Sequence, residues 1–217
     1  MKSFFKILSI VIFTGLFQFG TCDFEDVEDT TPTQSMTDSR DGKQYKTVQI
    51  GSQVWMAENL NYYHLESWYY NNDSISNYDY GRLYKWGTAK LVCPSGWHLP
   101  SDDEWKELEM ALGMSQAEAD QTGLRGSDQA NQLKSTYGWD QNSGTNSSGF
   151  NAFPAGWRHS LGGDKFYMIG TLAYFWSSTP NNINSGAMVR KLDALDGRID
   201  RTEIGDRFAL SIRCVKN

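Results

Sequence analysis

Histidine is scarce in this sequence, with three residues among 217. They are His64, His98 and His159, and their spacing to one another and to the cysteines does not fit a metal site. Histidine is the usual proton carrier at neutral pH, and the serine pair Ser177–Ser178 does not lie in a GxSxG turn. We therefore expect a protein that is not an enzyme and that holds no cofactor.

Basic residues are also few, at 20 against 26 acidic residues. Without the first 21 residues, which include Lys2 and Lys6, 18 basic and 26 acidic side chains remain, a formal charge of −8. Nucleic-acid binding depends on neutralising phosphates, so nucleic acid is not an expected partner. Residues 41–217 are long enough for one domain with a full core and shorter than the usual size of two.

Long apolar runs are lacking except near the N-terminus. There, Lys2 and Lys6 precede the apolar stretch 7–19, which is shorter than the roughly 20 residues of a spanning helix. We interpret residues 1–21 as a cleaved secretory signal. The letters FGTC, which end at Cys22, resemble the lipobox of bacterial lipoproteins, so we expect Cys22 to carry lipid and to anchor the protein to a membrane. Simple secretion is the alternative.

Residues 22–40 are poor in apolar side chains. An acidic patch spans 23–29, and a stretch rich in Thr, Ser and Pro follows. Such a composition buries too little apolar surface to order itself, which predicts a disordered tether. Acidic residues after a lipidated cysteine resemble a bacterial signal for the outer face of the outer membrane. We expect a lipid-anchored cell-surface protein, with periplasmic or secreted protein as the alternatives.

Cysteine is rare too, with three residues in the chain. If Cys22 carries lipid, Cys93 and Cys214 remain, and an exported protein meets an oxidising compartment. We predict a disulfide between them that closes a loop of about 120 residues. Two free structural thiols are the alternative.

A helix start is encoded after Pro100. Ser101 and Glu104 have the spacing of a capping box. The apolar residues of the helix recur at intervals of three and four and predict one buried face, namely Trp105, Leu108 and Leu112. The charged residues fall mostly outside this face, namely Asp102, Asp103, Lys106, Glu107 and Glu109. Asp102, Asp103 and Glu104 lie in the first turn, where the helix dipole favours negative charge, and we assign them to capping and solvation, with catalytic or metal roles as the alternative.

Other local patterns predict short strands and long loops. Residues 45–50 and 53–56 alternate around Gly51–Ser52, which indicates a hairpin. Further strands are predicted at 150–158, 173–179, 188–192 and 209–215, and short helices begin at Ser115 and Ser127. Arg158, Arg190 and Arg213 either line a polar pocket or form framework ion pairs.

Seven blocks of sequence resemble a known family when read in order. They are WMAENLNY, SWYYNND, YGRLYKWGTA, CPSGWHLPSDDEWKELE, GFNAFPAGWR, FWSST and SIRCVKN, and together they resemble the Fibrobacter succinogenes major paralogous domain over residues 37–217. That family is similar to formylglycine-generating-enzyme domains, which have a C-type-lectin-like fold. The resemblance implies an α+β domain at 41–217 with small antiparallel sheets, two or three short helices, long irregular loops and paired first and last strands.

The chemistry of those enzymes is not implied, because their copper-binding cysteines have no counterpart in residues 175–210. A binding role is suggested instead by the segment 62–80, which mixes aromatic rings with amides. The candidate ligand contacts are Trp68, Tyr69, Tyr70, Asn72 and Asp73. The alternative interpretation is a loop folded over the core.

A second loop, 138–151, is rich in Gly, Asn and Ser. Asp140, Asn142 and Asn146 offer oxygen ligands, but their spacing does not match an EF-hand, so we prefer turn chemistry to bound calcium. In total, the sequence predicts a non-catalytic exported protein that recognises a glycan or a surface protein. The alternatives are a structural envelope protein without a specific ligand and a secreted enzyme.

Overall fold

The structure is a computed structural model that describes residues 34–161, 163, 165–181 and 185–217. The predicted signal 1–21, the lipid site at Cys22 and residues 23–33 of the predicted tether lie outside this range. Among the described residues, no helix has the length and apolar character needed to cross a membrane. The first described element is strand β1 (Gln34–Thr37).

Strand β1 lies within the segment 22–40 that we expected to be a disordered tether. It pairs antiparallel with β2 (Gln44–Ile50), and Asp38 behind it is fully buried. Arg40 bonds the Asp38 carboxylate at 2.6 Å and the Val92 carbonyl at 2.8 Å. For residues 34–40 the prediction of disorder was therefore wrong: backbone pairing and one ion pair order a stretch with little apolar surface.

The first sheet has the order β1-β2-β3-β14-β6. Its remaining strands are β3 (Gln53–Met56), β6 (Trp97–His98) and β14 (Val215–Lys216). Strands β2 and β3 form the predicted hairpin around Gly51, whose φ of 60° suits glycine. Val215 pairs with Trp55, so the last strand pairs with β3 of the early hairpin and not with the first strand, as the resemblance had implied.

Two further sheets complete the domain, and their named strands pair antiparallel. The second has the order β10-β11-β12-β7, with β7 (Gly123–Arg125), β10 (Leu172–Pro180), β11 (Ala187–Asp193) and β12 (Ile199–Ile204). The third has the order β4-β5-β13-β8-β9, with β4 (Ser67–Trp68), β5 (Leu83–Lys85), β8 (Trp157–His159), β9 (Lys165–Tyr167) and β13 (Phe208–Leu210). Antiparallel sheets therefore dominate, consistent with α+β or mainly β.

The described helices are short. They are α1 (Trp86–Ala89), α2 (Asp102–Ala111), α3 (Gln116–Ala119) and α4 (Gln129–Leu133), with a 3₁₀ turn at Tyr70–Asn72. Ser101 and Ser115 form the predicted capping boxes with Glu104 and Glu118, which is confirmed in both cases. The expectation for Ser127 was wrong, because α4 begins later, behind Asp128.

Two strand predictions needed correction. Of residues 150–158, only Trp157 and Arg158 lie in a strand; Phe150, Ala152 and Ala155 are buried without joining a named strand. The predicted strand 209–215 is split between two sheets as β13 and β14. Its middle residues cross the core, where the carbonyls of Ile212 and Cys214 accept N–H groups of Leu60 and Met56.

Large aromatic rings fill the core between these elements. Trp105, on the predicted inner face of α2, lies 4.8 Å from the Trp55 ring and 5.7 Å from the Phe175 ring. Cys93 and Cys214 form the predicted disulfide, with their Cα atoms 5.9 Å apart, which is confirmed. This bond ties the turn before α2 to the C-terminal strand.

Candidate functional site

The three aromatic residues among the ligand contacts predicted in segment 62–80 each contact another ring or a guanidinium. The guanidinium of Arg158 lies 3.7 Å from the Trp68 ring centre, and Tyr70 contacts Phe166 at 5.4 Å. Tyr69 stacks on Tyr78 at 6.3 Å. The segment is thus folded against the protein, as the alternative interpretation held.

The two polar candidates of this segment occupy a turn. The Asp73 carboxylate accepts the N–H groups of Ile75 and Ser76, at 2.9 and 3.0 Å. Asn72 has a left-handed backbone, with φ of 59°, a conformation that asparagine tolerates better than most residues. Both residues are explained by local backbone geometry, so ligand contact at these positions stays a prediction.

A cleft next to this segment brings together a different set of residues. Its volume is about 190 Å³. We call it the tyrosine cleft and define it by four aromatic residues, four polar acceptors and one lysine: Tyr45, Tyr78, Tyr137, Phe153, Glu58, Asn59, Asn61, Asp79 and Lys43. Only Tyr78 and Asp79 come from the segment that the sequence pointed to.

The polar wall of the tyrosine cleft is held in place by hydrogen bonds. The buried Tyr45 hydroxyl accepts the Asn61 N–H at 3.1 Å, and the Asn61 amide donates to the Tyr78 carbonyl at 3.2 Å. Glu58 accepts the N–H of Lys46 at 2.8 Å. Burial raises the pKa of Tyr45 well above its usual value, so this hydroxyl stays neutral.

The buried side chain of Arg213 holds Asn59 in place. Arg213 donates to the Asn59 side-chain oxygen at 2.7 Å and to the carbonyls of Met56, Phe150 and Asn151. Burial lowers the pKa of Arg213 to about 9. Arg213 is therefore part of the framework through carbonyl contacts, and it supports the floor of the tyrosine cleft.

One atom of the cleft wall has no hydrogen-bond partner among the described residues. Asn61 is 8% exposed, and its side-chain oxygen Oδ1 accepts no hydrogen bond there. Leaving a buried acceptor unpaired costs on the order of 1–3 kcal/mol, and such atoms call for a specific explanation. The oxygen is also closed to solvent, so a molecule in the cleft does not reach it unless the Asn61 side chain moves.

Two exposed rings border the same cleft. Tyr137 is 62% exposed and meets Phe153 edge-on at 5.0 Å, while Tyr78 is 50% exposed. The ammonium of Lys43 lies 4.2 Å from the Tyr78 ring centre and 5.4 Å from that of Tyr45. The cleft thus combines exposed aromatic surface, hydrogen-bond acceptors and one cationic donor.

Two of the three side chains considered as calcium ligands accept hydrogen bonds from the protein. Asp140 accepts the Thr171 hydroxyl at 3.3 Å, and the Asn146 oxygen accepts the Asn151 N–H at 2.7 Å. Asn142 has a left-handed backbone with φ of 44°. Within the described ranges, no group of three or more His, Cys, Asp or Glu residues could hold a metal ion. These contacts agree with turn chemistry.

A buried ion network joins helix α2 to strands of the second sheet, and the sequence did not predict it. Glu109 is fully buried and pairs with Arg125 at 2.8 Å and Arg190 at 2.6 Å. Asp102 pairs with Arg190 and Arg201, both at 2.7 Å. Assigning Asp102 to capping and solvation and placing Glu109 outside the buried face were therefore wrong, because three arginines on β7, β11 and β12 compensate their charges.

The pKa shifts of Asp102 and Arg125 agree with a structural role for this network. Burial opposes ionisation of Asp102, but hydrogen bonds from Arg201 and the ion pair with Arg190 outweigh it and lower its pKa below the usual value. Burial also lowers the pKa of Arg125, despite its attraction to Glu109. Of the two interpretations for Arg190, a polar pocket or framework ion pairs, the structure therefore agrees with ion pairs.

The residues of the tyrosine cleft left only a weak trace in the sequence. Glu58, Asn59 and Asn61 stand close together after β3, but a run of acid and amides is equally typical of a plain turn. Nothing local relates them to Tyr137 or Phe153, which lie about 75 to 95 residues away in sequence. Their meeting depends on long-range sheet pairing.

Comparison with known proteins gives one result for the folded part. A family model described as the Fibrobacter succinogenes major domain matches residues 48–216. No curated protein and no solved structure matches the chain. The matched range includes the cleft residues apart from Lys43 and Tyr45.

Proposed function

Because the chain belongs to the Fibrobacter succinogenes major domain family, we propose a function at the level of this domain: an exported surface protein that recognises an extracellular ligand and catalyses no reaction. The tyrosine cleft carries this proposal. Concave sites with apolar walls and a few convergent polar groups are where proteins bind small ligands or parts of larger ones. The exposed ring of Tyr137, next to the charged groups of the cleft, is the single observation that most favours a ligand there.

Binding is favoured over hydrolysis by the surroundings of the two cleft carboxylates. Glycosidases place two carboxyl groups on either side of the bond to be cleaved, and one of them acts as an acid in an enclosed, apolar site. Asp79 is exposed, and Glu58 is half-buried and bonded to a backbone N–H. These positions suit hydrogen bonding to a ligand better than proton transfer.

Export and lipid anchoring at Cys22 are part of the proposal. The support is the basic start, the apolar stretch 7–19 and the lipobox-like FGTC. Metabolic labelling with an alkyne-tagged fatty acid should mark the wild-type chain and leave Cys22→Ser unlabelled. A wild-type protein that reaches the medium without label would favour simple secretion instead.

We also propose a C-type-lectin-like arrangement for the three sheets. It is supported by the pairing of β3 with β14, by the disulfide next to β14 and by the long irregular stretches between strands. An experimental structure would test this by comparison of strand order with that of lectin-like domains. A different order of β2, β3 and β14 would argue against it.

The recognition role is tested by a binding screen with a matched pair of variants. The purified full-length chain in detergent is applied to a glycan array and to immobilised bacterial surface proteins. Tyr137→Ala should reduce any specific signal, whereas Tyr63→Ala should not, because Tyr63 is equally exposed at 65% but lies outside the cleft. No specific signal for the wild type would favour a structural envelope protein, and turnover of an array glycan would favour an enzyme.

A further inference from the structure

The charges on the wall of the tyrosine cleft are unbalanced. Among the described residues, Glu58 and Asp79 bring two carboxylates to this wall, and Lys43 brings the one ammonium. Neither carboxylate forms an ion pair with a lysine or an arginine of the described chain. Opposite charges attract each other more strongly in a partly enclosed cleft than in open water. The cleft therefore favours a positively charged ligand group.

The protein's own cation already contacts the rings of this cleft. The Lys43 ammonium lies 4.2 Å from the Tyr78 ring centre and 5.4 Å from that of Tyr45. The face of a tyrosine ring attracts cations, because the ring quadrupole is negative there. Lys43 thus shows which chemistry the rings accept, and it leaves the two carboxylates without an ion pair.

A second aromatic surface of the cleft is open to solvent. Tyr137 is 62% exposed, and an edge-on contact with Phe153 at 5.0 Å sets the angle of its ring. Aromatic faces and carboxylates are both preferred neighbours of cationic groups in proteins. The cleft offers both to a cation that arrives from outside.

Negative charge extends beyond the wall of the cleft. Tyr80 packs edge-on against Phe153, with the ring centres 5.7 Å apart. Burial raises the pKa of the Tyr80 hydroxyl, and the charges of Asp140 and Asp79 raise it further. The carboxylate of Asp140 therefore adds to the negative field at this end of the cleft. Such a field steers positively charged partners toward the site and disfavours acidic ones.

Among cations, a guanidinium fits these contacts better than an ammonium. Its planar fork lies flat on an aromatic ring and still bonds carboxylates at its edge, whereas an ammonium is a compact, strongly hydrated charge. The cleft volume of about 190 Å³ is below the roughly 300–1,000 Å³ of sites for drug-sized ligands, which suits one side chain. Tyrosine and arginine are both enriched where proteins meet. These observations favour a polypeptide as the source of the guanidinium.

We infer that the tyrosine cleft binds an arginine side chain of a partner protein, whose guanidinium rests on the Tyr137 ring and pairs with the carboxylates of Glu58 and Asp79. This inference rests on the proposed recognition function and commits it to a protein ligand with an exposed arginine. Lys43 repels the incoming guanidinium and so weakens its binding.

The test is a titration of the full-length chain in neutral detergent, followed through the NMR signals of the tyrosine rings. The probes are blocked pentapeptides Ala-Ala-X-Ala-Ala, in which X is arginine, lysine, glutamate or citrulline, the uncharged counterpart of arginine. At about 10 mM, such a titration detects millimolar dissociation constants. We expect the arginine peptide to bind most tightly and the citrulline peptide at least about fivefold more weakly. Methylguanidine, the cation without a peptide, should also bind more weakly.

Removing the internal cation makes the test specific. Lys43→Met should tighten the binding of the arginine peptide about three- to fivefold, because it frees the Tyr78 ring and removes a positive charge. Lys90→Met is the matched control, since Lys90 also lies over a ring, that of Trp86 at 4.0 Å, but outside the cleft. It should change binding less than about twofold. An equal effect of both variants would contradict competition by Lys43.

Variants of the cleft wall test the other contacts. Tyr137→Ala should weaken binding of the arginine peptide at least about fivefold, and Tyr63→Ala less than about twofold. The double variant Glu58→Gln, Asp79→Asn should bring the arginine and citrulline peptides to within about twofold of each other. Circular dichroism spectra verify that each variant is folded.

Three results would overturn the inference. They are no shift of the tyrosine signals with the arginine peptide in the folded wild type, a citrulline peptide that binds as tightly as the arginine peptide, and methylguanidine that binds as tightly as the arginine peptide. In each case, a ligand from the binding screen that depends on Tyr137 would leave the recognition function standing. If neither experiment gave a ligand that depends on Tyr137, the recognition function would be removed as well.

Discussion

Removing the charge of Glu109 is the sharpest test of how the domain is held together. Glu109→Gln keeps the size of the side chain but leaves two guanidinium groups facing a neutral amide. The Glu109 oxygens lie 2.6 Å from Arg190 and 2.8 Å from Arg125, and all three side chains are buried. The variant therefore leaves buried positive charge uncompensated.

The magnitude follows from the partners that remain. Arg190 keeps Asp102 at 2.7 Å, whereas Arg125 pairs with no second carboxylate in the described part of the chain. Breaking a buried ion pair by removing one partner costs about 3–5 kcal/mol. We expect the free energy of unfolding to fall by about 4 kcal/mol, which lowers Tm by roughly 8–16 °C for a domain of this size.

Thermal and urea unfolding followed by circular dichroism measure this loss. Arg198→Gln is the matched control, because it breaks an ion pair with Asp196 in which Arg198 is 46% exposed. An exposed pair contributes little to stability, because water and salt screen the attraction between its charges. If Glu109→Gln lost no more stability than Arg198→Gln, the buried network would not be what fastens α2 to the second sheet.

Three further predictions concern stability. Replacing Cys93 and Cys214 with alanine opens a loop of sequence separation 121. In the chain-entropy description this should lower the free energy of unfolding by about 5 kcal/mol, which urea unfolding measures. A loss below about 1 kcal/mol would refute the prediction. The lowered pKa of Asp102 contributes stability at pH values above the unfolded pKa of about 3.9. This stability is lost as pH falls below that value. The free energy of unfolding should therefore decline from about pH 5 to about pH 3, and it should decline less steeply in Asp102→Asn. An equal pH dependence of stability in the wild type and in Asp102→Asn would contradict this prediction. Ser101→Ala removes one half of the capping box and should cost about 1 kcal/mol, whereas an unchanged Tm would show that Pro100 alone defines the helix start.

Local instructions in the sequence predicted the elements that depend on neighbours in the chain. The capping boxes at Ser101 and Ser115 and the hairpin at Gly51 each rest on residues within four positions of one another. Compartment chemistry and cysteine counting predicted the disulfide of Cys93 and Cys214. These features follow from short-range geometry or from elimination.

Features set by distant partners could not be predicted in this way. Glu109 looks like a solvated acid on the pattern of α2, and only the return of β7 and β11 brings Arg125 and Arg190 to it. The composition of residues 34–37 predicts a disordered tether, but pairing with β2 orders these residues as strand β1. A one-dimensional pattern contains neither of these contacts.

The candidate site shows the same limit. An abundance of aromatic residues drew attention to Trp68, Tyr69 and Tyr70, which pack against Arg158, Tyr78 and Phe166. The tyrosine cleft is assembled instead from five separate stretches of the chain. Its acceptors were visible as residues, but their convergence was not.

The central claim is that the tyrosine cleft recognises a ligand. The most direct measurement is the dissociation constant of the full-length chain for its tightest ligand in the binding screen, compared with that of Tyr137→Ala. We predict that the variant binds at least about fivefold more weakly while it unfolds at the same temperature. Equal dissociation constants for the two proteins would contradict the claim, because the ligand would then bind elsewhere on the surface.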